Sequence, residues 1–318
     1  MKTALLLLAH GTPDALHEIP EYLRNVTSGR ALPQEAIDEI THRYSLIGKS
    51  PLTDITLAQG RLLAERTGVP VYVGMRNWKP YISTAVEQMI HDGIAAAAAI
   101  CLAPQNSRTS VGLYRRAVLA EAGSKLAVDF TDAWADHPLL IRAFAERLRT
   151  KYRALAEELD RPLPVLFTAH SVPLRTVQPD AAGNGDPYAD QAHLTAAMVA
   201  KELAPDGLQN SDCFFAFQSQ GMSGGPWIGP TVEDTLREIR NAGHTAVLIQ
   251  PIGFLCDHVE ILYDIDLAFR KLGAQLGLRV ERTESLNESP SLIAALADLA
   301  QSGMARLTAR TTTAVSVP

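Results

Sequence analysis

Thirteen residues, FLCDHVEILYDID at 254–266, hold one histidine, one tyrosine and four carboxylates. Leu255, Val259 and Leu262 recur among them at helical spacing and define a core-facing side. Asp257, Glu260 and Asp264 stand at i, i+3 and i+7, which on one helix sets three acids in a single stripe. Like charges so placed cost a helix about 0.2–0.5 kcal/mol per pair. No lysine or arginine breaks the run before Arg270. A solvated acidic face is the plain reading. A chemical one is that the row binds or passes on a divalent cation, or takes protons from a substrate. His258 lies about 200° around such a helix from Glu260 and is expected to face elsewhere.

His170 closes the apolar run VLFTAH. A lone histidine after a strand is commonly structural, but one set at a cleft is the natural proton acceptor near pH 7. PWIGP at 226–230 carries a tryptophan between two prolines. Such a rigid loop suits a flat aromatic ligand, or else the tryptophan caps the core.

These residues need elements to position them. Apolar runs at 3–9, 69–74, 96–102, 163–168, 213–217 and 246–250 are predicted strands, several without alternation, as in parallel strands covered on both faces. Helical patterns at 84–91, 139–159 and 231–241 lie between them, and the alternation predicts an α/β fold. LLLLAHGTP at 5–13 is echoed by VLFTAHSVP at 165–173, and the helix–glycine–strand–proline pattern of 85–104 by that of 232–251. Landmarks recurring in order after roughly 150 residues imply two similar α/β domains. We place them at 1–135 and 136–288, with a helix near 289–307 packing back on the first and a disordered tail at 308–318. Ligands bind beyond the carboxyl ends of parallel strands, so both domains are expected to offer their strand ends to one cleft.

The 318 residues are 47% hydrophobic and carry a net charge of −6, which argues against nucleic acid as a partner. MKTALLLLAHG reads as a buried first strand rather than a signal peptide, and no run is long enough to span a bilayer. Cys101, Cys213 and Cys256 are far apart, with no C-x-x-C. They read as reduced thiols in a cytoplasmic protein.

Together AHGTP (9–13), RYSLIGKSPL (43–52), YVGMRNWKPYI (72–82), APQNS (103–107), TAHSVP (168–173), DPYADQ (186–191), FQSQG (217–221), PWIGP and the opening stretch resemble the ferrochelatases, which insert ferrous iron into a porphyrin. The resemblance runs over about residues 4 to 300. It implies two Rossmann-like domains, each a four-stranded parallel sheet flanked by helices, with the porphyrin in the cleft between them. It assigns His170 and Glu260 as the catalytic pair, and His170, Glu260 and Asp264 as the path for metal or protons. Arg30, Arg43 and Ser50 match positions that meet propionates, and His10, Thr12, Tyr44, Ser219 and Trp227 match other lining positions. Iron is then a substrate, with no resident cofactor, and the chain acts as a monomer with at most passing contact with a membrane or a haem-pathway enzyme.

Three positions depart from the family pattern. His10 stands where the coproporphyrin-using branch has tyrosine, and is a candidate axial ligand to the haem product. Gln105 replaces a histidine, and Ala268 replaces an acid at the outer end of the row, which puts an outer metal site in doubt. A C-terminal cysteine cluster is lacking, so an iron–sulfur cluster is not expected. Coproporphyrin III is the favoured substrate and protoporphyrin IX the alternative. A non-catalytic porphyrin or haem carrier would have no need of His170 and Glu260. A cobalt or nickel chelatase for another tetrapyrrole is the third reading.

Overall fold

The computed structural model describes residues 2–179, 183–221 and 225–315. Its strands are β1 (Thr3–Ala9), β2 (Val71–Met75), β3 (Ala96–Cys101), β4 (Ala127–Thr131), β5 (Val165–His170), β6 (Cys213–Gln218), β7 (Ala246–Pro251) and β8 (Arg279–Arg282). Its helices are α1 (Ile19–Val26), α2 (Gln34–Ile47), α3 (Leu52–Thr67), α4 (Ile82–His91), α5 (Val111–Ala122), α6 (Pro138–Leu159), α7 (Leu174–Val177), α8 (Tyr188–Glu202), α9 (Val232–Asn241), α10 (Val259–Leu262), α11 (Arg270–Leu276) and α12 (Pro290–Val315). A π-helix, Asp264–Phe269, lies between α10 and α11. The chain forms two compact units. One comprises Met1–Thr41, Lys49–Trp134 and Glu288–Pro318, the other His42–Gly48 and Ala135–Asn287.

The first unit holds a parallel sheet in the order β2-β1-β3-β4. Six of the seven residues of β1 and all six of β3 are buried, which is why both read as unbroken apolar runs. Leu6, Leu8, Val86, Met89, Ala97, Ala99 and Val118 share one core. The alanines of β3 let a helix come close: a Cβ on Gly303 of α12 would stand 2.8 Å from the Cβ of Ala98. Asp129 on β4 is buried at 2% exposure, and its carboxylate meets Arg306 Nη2 at 2.8 Å and Arg310 Nη2 at 3.1 Å. This pair of arginines and buried Leu307 carry α12 past Thr308, where a disordered tail was expected. The last three residues of that expected tail lie outside the described residues.

The second unit repeats the plan with the order β6-β5-β7-β8, again all parallel. Leu166, Leu236, Ile239, Val247, Ile249, Ile261, Ile265 and Phe269 form its core on one face, so α10 and the π-helix are anchored by their apolar side chains. The helices predicted at 84–91, 139–159 and 231–241 are α4, α6 and α9, each within two residues of its expected limits. The strand predicted at 163–168 is displaced: β5 ends at His170, which therefore belongs to the sheet and does not follow it. Two strands, β4 and β8, escaped the reading from sequence. Both are short edge strands, and AVDFT and RVER carry charges where a hydrophobic pattern would have marked them.

Candidate active site

His170, the last residue of β5, pairs in register with Gln218, the last residue of β6. The chain leaving β7 returns against the same strand end. Ile252 N donates to Thr168 O at 2.8 Å, and a Cβ on Gly253 would lie 2.9 Å from Ala169 Cα and 3.3 Å from His170 N. Only glycine permits that approach. Leu255 then turns into the core and the segment bearing the acids begins.

His170 Nε2 stands 3.2 Å from Glu260 Oε1, with the two side chains 35% and 31% exposed. On the other side of the ring, Nδ1 meets the carbonyl of Ser171. Tyr188 Oη donates to the carbonyl of His170 itself at 2.8 Å. Phe254 packs edge-on to the imidazole, with centroids 6.3 Å apart. Glu260 uses its second oxygen toward His258, whose Nε2 lies 3.5 Å from Oε2. The electrostatics follow from these contacts. Burial pulls the His170 pKa down, but the Glu260 carboxylate, hydrogen-bonded to it, overrides this and lifts it to about 9. Burial would raise the Glu260 pKa, yet the two histidines hold it far below the usual carboxylate range. Burial, reinforced by the charge of Glu260, pushes Asp264 up to about 6, against Ser219, Arg43 and His170.

The single acidic stripe does not exist. Residue 258 is extended, at φ −163° and ψ −175°, and α10 starts only at Val259, so Asp257 is not on the helix. Asp257 accepts from Ser285 Oγ at 2.8 Å and Asn287 Nδ2 at 3.0 Å, and meets Arg282 Nη2 at 3.2 Å. The same arginine donates to both oxygens of Asp266 at 2.8 and 2.9 Å. Two of the four acids thus answer a cation from β8, far away in sequence. The other two, Glu260 and Asp264, face the histidine side. His258 is corrected too: being extended rather than helical, it turns its ring to Glu260 instead of away.

The π-helix sets this division. Ala268 N donates to Tyr263 O at 2.9 Å, five residues back, where a regular helix would bond four back. Asp264 is 7% exposed and accepts from Ser219 Oγ, while Arg43 Nη1 lies 3.6 Å from its other oxygen. Arg43 also covers the ring of Tyr263, with its guanidinium carbon 5.0 Å from the centroid. Ser219 reaches Asp264 from a left-handed backbone, φ +61°, an uncommon position for a residue with a side chain.

The other expected residues are placed as follows. His10 follows β1, with Nε2 3.1 Å from Tyr22 Oη and 3.0 Å from Asn77 Nδ2. Thr12 and Ser50 are buried hydroxyls with no hydrogen-bond partner among the described residues. Arg30 is exposed, and its Nε donates to Thr27 O at 3.3 Å. Tyr44 is buried and belongs, with the rest of His42–Gly48, to the second unit. Trp227 pairs through its backbone with Pro173 and flanks a cavity of about 100 Å³ lined also by Leu174, Arg175 and Pro226. Among the described residues, no three His, Cys, Asp or Glu side chains gather as a metal cage. His170 and Glu260 are together, while Asp264 turns to Ser219 and Arg43. Gln218, Tyr188 and Arg282 were not singled out from sequence. The first two lie inside the motifs FQSQG and DPYADQ. Arg282 has no local signal at all.

Residues 2–304 match the family model described as ferrochelatase. The chain belongs to the ferrochelatase family. It is 61% identical over 317 residues to a ferrochelatase of Acidobacterium capsulatum, covering 97% of this chain and 96% of that one. It is 34% identical over 311 residues to a Geobacillus kaustophilus protein named coproporphyrin III ferrochelatase, covering 94% and 95%. SirB from Bacillus subtilis, solved with Fe3+, shares the fold at a TM-score of 0.54 and 12% identity, over 95% of this chain and 96% of that one. As a ferrochelatase the chain is an enzyme that inserts iron into a porphyrin, a lyase-class reaction of haem biosynthesis. Among the described residues no helix is long and apolar enough to cross a membrane.

Proposed function

We propose that the porphyrin is coproporphyrin III and that His170 and Glu260 receive its protons. The observation that carries the catalytic part is the 3.2 Å contact between His170 Nε2 and Glu260 Oε1. A free-base porphyrin holds two pyrrole N–H groups. As Fe2+ forms bonds to the four nitrogens, both protons must leave, so the reaction consumes the metal and the free base and releases two H+. An imidazole backed by a carboxylate is suited to this. With its pKa lifted to about 9 the ring is charged at neutral pH, so it takes a porphyrin proton after passing its own to water through the partial exposure of both side chains, and the carboxylate stabilises the charge each time. Asp264, lifted to about 6, is a second group able to hold a proton near neutral pH.

The preference for coproporphyrin III rests on a weaker footing. A relative of that name aligns over nearly the whole chain, and Arg30 and Arg43 suit the two additional propionates of that substrate. The Acidobacterium relative, at higher identity, is named only as a ferrochelatase. We further assign His10, Thr12, Arg30, Arg43, Tyr44, Ser50, Ser219 and Trp227 to porphyrin binding, and iron to His170, Glu260 and Asp264 as a substrate in transit.

An anaerobic assay offering Fe2+ with coproporphyrin III or protoporphyrin IX tests both parts. Metal entry reduces the four visible bands of the free base to two. Faster turnover of coproporphyrin III is the expected result. Faster turnover of protoporphyrin IX overturns the substrate assignment and keeps the enzyme. Tight binding of either with no insertion overturns the catalytic assignment in favour of a carrier.

A further inference from the structure

Gln218 occupies an unusual place. It is the last residue of edge strand β6, 1% exposed, and opposite His170 in register. Its carbonyl accepts from Ser171 N at 2.7 Å, which fixes the chain immediately after His170. Its side-chain amide, Nε2, donates across to the carbonyl of Glu260 at 2.8 Å and lies 3.3 Å from Ser219 Oγ, which in turn donates to Asp264. One residue therefore touches the strand of the histidine, the backbone of its carboxylate and the hydroxyl that holds the next acid.

The carbonyl it grips is at a weak point. The α-helical ladder stops at Leu262 and the π-helix begins at Asp264, so Glu260 sits in a helix of four residues with little hold on its own conformation. The other amide atom supplies the decisive detail. Gln218 Oε1 is buried and has no hydrogen-bond partner among the described residues. An orphaned acceptor in the interior is destabilising. A residue serving only as filling would be better as methionine or leucine, which leave nothing unsatisfied.

We infer that Gln218 is a positioning residue that sets the spacing of His170 and Glu260 by holding the Glu260 backbone against the His170 strand. This rests on the proposed roles of that pair. Gln218 touches neither substrate nor reacting atoms in this account. It acts through the two residues it joins.

The test is Gln218→Met, with Gln218→Leu as a second apolar replacement. Both lose the donor and also remove the orphaned acceptor. The expected result is a melting temperature equal to or above that of the wild type, kcat for iron insertion about 10- to 100-fold lower, and KM for the porphyrin within about twofold. A crystal structure of Gln218→Met is expected to show His170 Nε2 and Glu260 Oε1 further apart than 3.2 Å. Wild-type kcat in both variants overturns the inference. So does a fall in kcat that comes with a lower melting temperature and an unchanged separation, because the residue is then structural. If the wild type inserts no metal at all, the catalytic reading fails separately. The separation in the variant then decides the role of Gln218: a widened pair supports it and an unchanged pair refutes it.

Discussion

His10 and His170 occupy the same slot in two copies of one plan. Each closes an Ala-His at the end of a central parallel strand, His10 just after β1 and His170 as the last residue of β5, in sheets of the same order. Their surroundings differ in charge. His10 meets a phenol and an amide, Tyr22 and Asn77. His170 meets a carboxylate that a second histidine also contacts. The first arrangement orients a ring. The second holds a proton on the ring up to about pH 9. A strand end supplies a position, and what the position does is decided by the segment that comes back against it.

The largest expected break in this contrast is His170→Ala. Loss of the base should lower kcat for insertion by about 10³-fold, with the porphyrin dissociation constant little changed in a fluorescence titration. Turnover near wild type would remove His170 from the mechanism.

Glu260→Gln should come next, at about 10²-fold in kcat, and it sets a neutral amide beside His170 in place of the carboxylate. Burial is then opposed only by the Ser171 carbonyl and the charge of Asp264, so the His170 pKa should fall from about 9, read from the imidazole resonances. The sign of the stability effect follows. The folded pKa of His170 is raised, so its contribution is complete below about pH 6.5 and is lost as pH rises through 9. The stability gap between wild type and Glu260→Gln should therefore shrink over that window in melting curves. A gap constant across it would mean that the pair does not hold a charged imidazole.

Arg282→Met tests the other half of the acidic segment. It removes the cation that Asp257 and Asp266 share, leaving Asp257 to Ser285 and Asn287 and Asp266 to Arg270 at 3.7 Å, and should cost about 2–3 kcal/mol in urea unfolding. The smallest effect is expected from His10→Ala: a shift in the absorption spectrum of the haem product, with kcat within about threefold, as suits a ring outside the proton path. An unchanged spectrum would count against axial ligation by His10.

The doubled architecture was legible in the sequence because both sheets are buried on two faces and so print continuous apolar runs, with Ala-His repeated at the ends. His170 and Glu260 were legible through motifs. Their partners were not. The stripe of Asp257, Glu260 and Asp264 assumed one helix with a constant turn, and the extended His258 and the π-helix both break that assumption. Arg282, which pairs with Asp257 and Asp266, sits on an edge strand whose RVER gives no periodic signal. Contacts that join residues close in the fold and distant in the chain leave no mark on spacing.

The π-helix between Tyr263 and Arg270 bears on how the gene can change. A π-turn is an α-helix holding one residue more than its hydrogen-bond ladder needs. A deletion of one codon there would not cut the helix. It would let the ladder close at four, with Ala268 N still on Tyr263 O, so the residues beyond keep their register and only the widened turn is lost. The loss would fall on the turn that brings Asp264 to Ser219 and Asp266 to Arg282. A one-residue deletion here should therefore leave the helix beyond it folded while disturbing the placement of Asp264 and Asp266, so that among natural or engineered variants a change in the residue count of this stretch should mark altered activity before it marks lost stability.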